Sequence, residues 1–101
     1  MTKLPPKDPA ERKLARFIFT ADLSSGETVV SAAVAIELLD GTDAVPGLVL
    51  DGAPLVDSAT NDVLQWLTGG VRDADYGLRC LATASGGAVH LASARLPVRR
   101  M

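Results

Sequence analysis

The sequence predicts an all-β sandwich. Three observations carry that prediction. Apolar residues alternate with polar or small ones over several short stretches, which is the period of a half-buried strand. Glycine-bearing turns separate those stretches, as at Ser24-Ser25-Gly26-Glu27, Asp40-Gly41-Thr42-Asp43, Gly69-Gly70 and Ser85-Gly86-Gly87. β-Branched and aromatic residues cluster in runs such as Phe17-Ile18-Phe19-Thr20 and Thr28-Val29-Val30, which suit a pleated surface. About seven short strands so spaced suggest an immunoglobulin or fibronectin type III kind of sandwich. An extended N-terminal arm precedes it.

Residues 76–98 form the organising hairpin. Tyr76, Leu78, Cys80, Ala82 and Ala84 share one face of the first strand. Ala88, His90, Ala92, Ala94, Leu96 and Val98 share one face of the second. A two-residue loop would mix the two faces. A three-residue loop pairs Ala84 with Ala88, Cys80 with Ala92, Leu78 with Ala94 and Tyr76 with Leu96. That register makes one continuous apolar face, and a slip of one residue destroys it. A three- or five-residue turn is therefore expected. A lone hairpin is marginal in water, so a second sheet must cover the face.

The remaining elements follow in order. Pro5, Pro6 and Pro9 make residues 1–13 an extended arm. Asp8-Pro9-Ala10-Glu11 has the residues of a helix start, with Asp8 as cap, Pro9 first and Glu11 third. The strand-forming run behind it leaves room for one helical turn or an irregular lead-in. A first strand is expected near residues 14–20. Residues 28–39 make the longest strand candidate, with Thr28, Val30, Ala32, Val34, Ile36 and Leu38 as its core face. A helix through residues 31–39 competes on propensity, and the valines and flanking glycines favour the strand. Residues 45–56 hold two apolar pieces split by Asp51-Gly52-Ala53-Pro54, either a small hairpin or one kinked edge strand. Residues 62–68 form a strand with a half-buried Trp66. The sandwich domain then spans residues 14–98, and residues 99–101 form a basic tail.

Composition narrows the function. The chain has 101 residues, 48% of them apolar, enough for one domain with one core. The single cysteine, Cys80, excludes an internal disulfide framework. The first residues contain no apolar signal core, so no signal peptide is expected. The longest apolar run, residues 32–36, cannot span a membrane. A soluble protein made in a reducing compartment is expected. Net charge is -2, but residues 17–94 hold ten acids against Arg72 and Arg79. The cations Lys3, Lys7, Arg12, Lys13, Arg16, Arg95, Arg99 and Arg100 crowd the two ends. Basic ends on an acidic body either attract neighbouring copies or sit solvated.

Few residues suggest chemistry. Cys80 and His90 fall on one face but one pair apart, and a mid-strand thiol among Leu78 and Ala82 reads as structural. Asp40, Asp43, Asp51 and Asp57 match no calcium-loop spacing and read as turn residues. The terminal cations lack the aromatic platform of a nucleic-acid site. Trp66 reads as a core or inter-subunit residue rather than a glycan platform. No catalytic residue, cofactor or metal site is expected. By elimination the functional site is a surface, made of strand edges, loop tips and the arm.

The order of motifs resembles the phage fiber-tail adaptor family. It is carried by Lys7-Asp8-Pro9-Ala10-Glu11, by Ser25-Gly26-Glu27-Thr28-Val29-Val30 and by Val63-Leu64-Gln65-Trp66-Leu67-Thr68-Gly69-Gly70. Tyr76, Ser85-Gly86-Gly87 and Leu96-Pro97-Val98 complete it. Two features depart from the family pattern: Ala33 or Val34 stands where a tryptophan is common, and no Gly-Arg pair follows Ala84. The spacing of Tyr76 and Cys80 differs from that of antibody domains, so no tyrosine corner is expected.

The resemblance implies a virion structural protein with no active site. It would link the tail or head-tail connector to fibers, in several symmetric copies, in contact with other virion proteins and with neither nucleic acid nor membrane. It would be made in the host cytoplasm. The expected partner-binding residues are Lys3, Pro5, Pro6, Lys7, Arg12, Lys13, Arg16, Arg99 and Arg100. Deleting residues 1–9 is expected to weaken assembly and spare the fold. The competing readings are a capsid decoration protein and a host-surface or glycan-binding module.

Overall fold

The computed structural model describes residues 2–20, 22–42 and 47–99. Arg100, Asp43 and Val45 lie outside the described residues. Among the described residues there are strands and turns and no helix. The strands are β1 (Thr2–Lys3), β2 (Lys13–Ile18), β3 (Val29–Asp40), β4 (Leu48–Leu50), β5 (Leu55–Asp57), β6 (Asp62–Gly69), β7 (Asp75–Ala84) and β8 (Val89–Pro97). They form two layers. One sheet runs β1-β8-β7-β3, and the other runs β2-β6-β4 with β5 also on β6. The two-residue β1 is parallel to β8, and the other seven strands pair antiparallel.

The hairpin has the register its alternation requires. Tyr76 faces Leu96, Leu78 faces Ala94 and Cys80 faces Ala92. A three-residue loop closes it: Ala84 N–H donates to Ala88 O at 2.8 Å, and Gly87 N–H donates to Ala84 O at 2.9 Å. On the facing sheet Ala15, Phe17, Val63 and Leu67 point inward, and Phe19 follows β2 into the core. Packing Phe17, Phe19, Tyr76 and Leu78 between the layers supplies about 2 kcal/mol or more for each large side chain taken from water.

The structure corrects the expected core face of β3 and decides between the two alternatives for the split segment. Val29 is buried and Val30 is 58% exposed, whereas Ala32, Val34, Ile36 and Leu38 do face the core. The pairing with β7 skips a residue between Val29 and Ser31. A bulge there shifts the alternation by one position, so Thr28 and Val30 leave the core face. The split segment after residue 47 is one edge broken in two. β4 pairs with Thr68 and its neighbours, and β5 pairs with Val63 and its neighbours, both on the same side of β6. The buried Gln65 fills the break: its amide donates to Gly52 O and to Trp66 O, each at 3.0 Å.

The predicted helix start makes its capping contacts and goes no further. Asp8 N–H donates to Glu11 Oε1 at 2.9 Å, and Ala10 N–H donates to Asp8 Oδ1 at 2.8 Å. The chain then extends into β2, where alternate residues, Ala15 and Phe17 and then Phe19 beyond the strand, enter the core between the sheets. Glycines 69 and 70 end β6 with φ of +75° and +104°. A Cβ on Gly69 would lie 2.5 Å from Gly47 O, and one on Gly70 would lie 2.9 Å from a Val98 methyl. Both positive φ and close approach exclude larger residues there.

Candidate protein-interaction surfaces

The basic ends are largely neutralised within the chain. Arg12 Nε lies 2.5 Å from Asp51 Oδ2, and its guanidinium covers the Trp66 ring at 3.9 Å. Arg16 pairs with the buried Asp62 at 2.7 Å, and Lys13 pairs with Glu11 at 3.1 Å. These cations stay about half exposed, so each pair contributes at most ~1 kcal/mol. Their role is to orient the side chains. Among the described residues Lys3 and Arg79 make no ion pair.

Asp75 is the anchor of the C-terminal end. Arg95 donates to its Oδ2 from Nε at 3.0 Å and from Nη2 at 2.5 Å. Arg99 lies 2.8 Å from Oδ1, close enough for a strong ion pair but off the axis of a hydrogen bond. The Arg95 hydrogen bonds hold the Asp75 carboxyl below the usual carboxylate range against the opposing effect of burial, and Arg99 adds to them. Arg99 also donates to Val98 O at 2.9 Å. The hairpin pairing sets Arg95 opposite Gly77, beside the start of β7 and within reach of Asp75.

The arm is woven into the sandwich rather than held away from it. Lys3 pairs with Arg95 in the parallel ladder, and Leu4 N–H donates to Arg95 O at 2.8 Å. Lys7 N–H donates to Pro97 O at 3.0 Å, and Arg99 N–H donates to Lys7 O at 2.9 Å. The Lys7 side chain is fully buried and donates to Gly69 O at 2.7 Å and to Asp8 O at 2.9 Å. Desolvation lowers its pKa, partly countered by Glu11 and Asp8. Charge and local pattern gave no sign that Lys7 would be buried while Lys3 and Lys13 stay exposed. Pro5 and Pro6 are exposed, at the mouth of an apolar cleft of about 250 Å³ that Leu4 and Leu14 also line.

Among the described residues two surfaces stand out for contact. The outward face of β3, β7 and β8 carries an apolar row in register, Ala33 beside Leu81 beside Leu91. Leu81, Leu91 and Val89 are 45%, 49% and 60% exposed. Arg79 stands next in the row, and Glu37 and Leu39 lie over Gly77 beyond it. The second surface is the basic margin along β2, where Arg12, Lys13, Arg16, Leu14 and the 65%-exposed Ile18 lie.

Cys80 and His90 belong to neither surface, whereas Asp51 and Trp66 lie against Arg12 of the basic margin. Cys80 is wholly buried, and burial pushes its thiol up to about 11. His90 lies opposite Ala82 with its Nε2 3.8 Å from Glu27. Among the described residues no three His, Cys, Asp or Glu side chains converge as a metal ion requires. The face of Trp66 that a sugar would need is covered by Arg12.

Residues 7–97 match the sequence model of the family described as podophage GP4 fiber-tail adaptor protein gp77. The chain belongs to this fiber-tail adaptor family. No curated protein is significantly similar to it. The match spans the stretch from buried Lys7 to the end of β8, so family membership covers both sheets. It places the chain among phage tail structural proteins and implies contact with other virion components.

Proposed function

We propose that this protein is a virion adaptor that links the tail or head-tail connector to tail fibers through protein–protein contacts. The observation that carries the reading is the exposed row Ala33–Leu81–Leu91, which offers an adhesive apolar face on a protein of the adaptor family. Arg79, unpaired at its margin, has the chemistry of an interface anchor. The basic margin, with Lys3, Arg12, Lys13 and Arg16, supplies a second and separate surface, as a linker between two partners requires. Tails are symmetric, so several equivalent copies are expected on each particle. The protein is made in the host cytoplasm and ends in the virion. Its partners are proteins, since most of its arginines are engaged by its own carboxylates. The strand order, with β1 parallel to β8 at one edge, supports an immunoglobulin-like reading of the sandwich.

The test is a phage carrying Leu81→Glu and Leu91→Glu. Both side chains are exposed, so the purified variant should melt within a few degrees of wild type. Its particles should lack the adaptor by mass spectrometry and lack fibers by electron microscopy. Normal occupancy and normal fibers would overturn the proposal. Wild-type protein labelled along the capsid surface would favour the decoration reading instead.

A further inference from the structure

The geometry points to an acidic, extended strand from another virion protein as the ligand of the basic margin, added to the free edge of β2. This inference rests on the adaptor reading and names the chemistry of one of its partners.

The backbone directions come from β6. Asp51 N–H donates to Trp66 O at 2.9 Å, and Gly70 N–H donates to Gly47 O at 3.1 Å. The even-numbered residues of β6 therefore turn their backbone groups toward β4 and β5. Residues 63, 65 and 67 turn theirs toward β2, because successive residues of a strand alternate. Their partners are Phe17, Ala15 and Lys13. It follows that the N–H and C=O groups of Leu14, Arg16 and Ile18 point away from the sheet. Among the described residues no strand pairs with them. An unpaired backbone ladder is recognised by another extended chain.

Two clefts lie along this edge, between β2 and the opposite sheet. One, about 250 Å³, is lined by Leu4, Pro5, Leu14, Ala15, Leu67 and Leu96. The next, about 170 Å³, is lined by Leu4, Phe17, Ile18, Ala92 and Ala94. Leu4 divides them. A strand laid along β2 would direct alternate apolar side chains into them. β8 is also free along this side before Ala94, where β1 begins its pairing. The chain's own arm thus already uses strand addition at this side of the sandwich. Lys3 on the arm is unpaired among the described residues, and Arg12, Lys13 and Arg16 on the β2 segment stay about half exposed although each also holds a carboxylate of the chain, Asp51, Glu11 and Asp62. Acidic residues at the outward positions of the added strand would complement them.

The probe is a capped heptapeptide of alternating glutamate and valine, added to the isolated protein. Amide exchange followed by NMR should slow at least tenfold at Leu14, Arg16 and Ile18. A lysine–valine heptapeptide should give no slowing. Ile18→Pro, which deletes one outward N–H, should lose the effect, whereas Ile18→Ala should keep it. No slowing, or slowing centred elsewhere, overturns the inference. So does concentration-dependent self-association that Ile18→Pro abolishes, because a second copy would then own the edge. Exchange on purified particles separates the two proposals. A chain present in particles with these amides as open as in free protein sinks the added strand and leaves the adaptor standing. A chain absent from particles sinks the adaptor, and the peptide result alone then decides the edge.

Discussion

The Lys7 ammonium ends on the carbonyl oxygen of Gly69, 62 residues away in sequence, at 2.7 Å. This one contact ties the arm to the end of β6 and explains why a proline-rich lead is part of the fold. The Gly69-Gly70 turn brings that carbonyl within reach, and burial of the lysine stem closes the end of the sandwich. The arm therefore has a structural task whatever else it touches.

Lys7→Ala leaves Gly69 O without its charged donor and opens a gap. Its expected cost is about 2–3 kcal/mol, since an orphaned buried acceptor loses its full solvation. Urea unfolding of the purified variant measures it. Deleting residues 1–9 should destabilise further, because the pairing of Leu4 and Lys7 with β8 goes too. This replaces the expectation that truncation spares the fold. A truncated protein with the wild-type midpoint would show that the arm does not hold the sandwich together.

Cys80 predicts a loss of stability in alkali. Its folded pKa is raised by burial from 9.0 to about 11, so the folded state keeps a proton that the unfolded chain releases. The contribution is whole below pH 9 and declines as pH rises toward 11. At about 1.4 kcal/mol per pH unit the decline reaches about 2 kcal/mol by the top of the window. Lys7, whose pKa is lowered, acts in the opposite sense, so the comparison must be wild type against Cys80→Ala. The difference in unfolding free energy between them should shrink above pH 9. Labelling of the folded thiol should be slow and limited by unfolding.

Asp75 predicts the acid limb. Its folded pKa lies below 3.8 because Arg95, then Arg99, favour the charged carboxylate. That stability is present above the unfolded pKa and is lost as pH falls through the folded one. Asp75→Asn should cost roughly 2 kcal/mol at pH 7, the scale of hydrogen bonds to a charged group. Wild type and variant should converge as pH falls below the usual carboxylate range and through the lowered folded pKa. Thermal melts from pH 7 to pH 2 check both statements.

Gly70→Ala should cost about 2 kcal/mol or more. The substitution puts a side chain at φ +104° and 2.9 Å from Val98. Gly26→Ala is the control: it has a positive φ but nothing within 4 Å, so only the backbone strain remains. Paired melts of the two variants separate strain from collision.

The alternation of residues 76–98 was sufficient to set the hairpin register, since only one pairing leaves Tyr76, Leu78, Cys80 and Leu96 on a shared face. The strand expected over residues 62–68 is β6, but that its buried face is Val63, Gln65 and Leu67 came only with the structure. Alternation failed at Val29, where a bulge changes the parity of β3 and nothing local announces it. Single-residue pairing slips depend on how two strands twist together, and that is a property of the pair.

Alone, then, the amino-acid order determined the class of fold, the main hairpin and the motifs of the adaptor family. Short-range rules act there: alternation, turn chemistry and strand propensity are all written within a few residues. Tertiary structure decided which charges are exposed. Lys7 goes inside and Arg95 and Arg99 close on Asp75, because partners far apart in the chain meet only when two sheets pack. It also decided which edge of β2 stays open, since an unpaired backbone is defined by the neighbours a strand does not have.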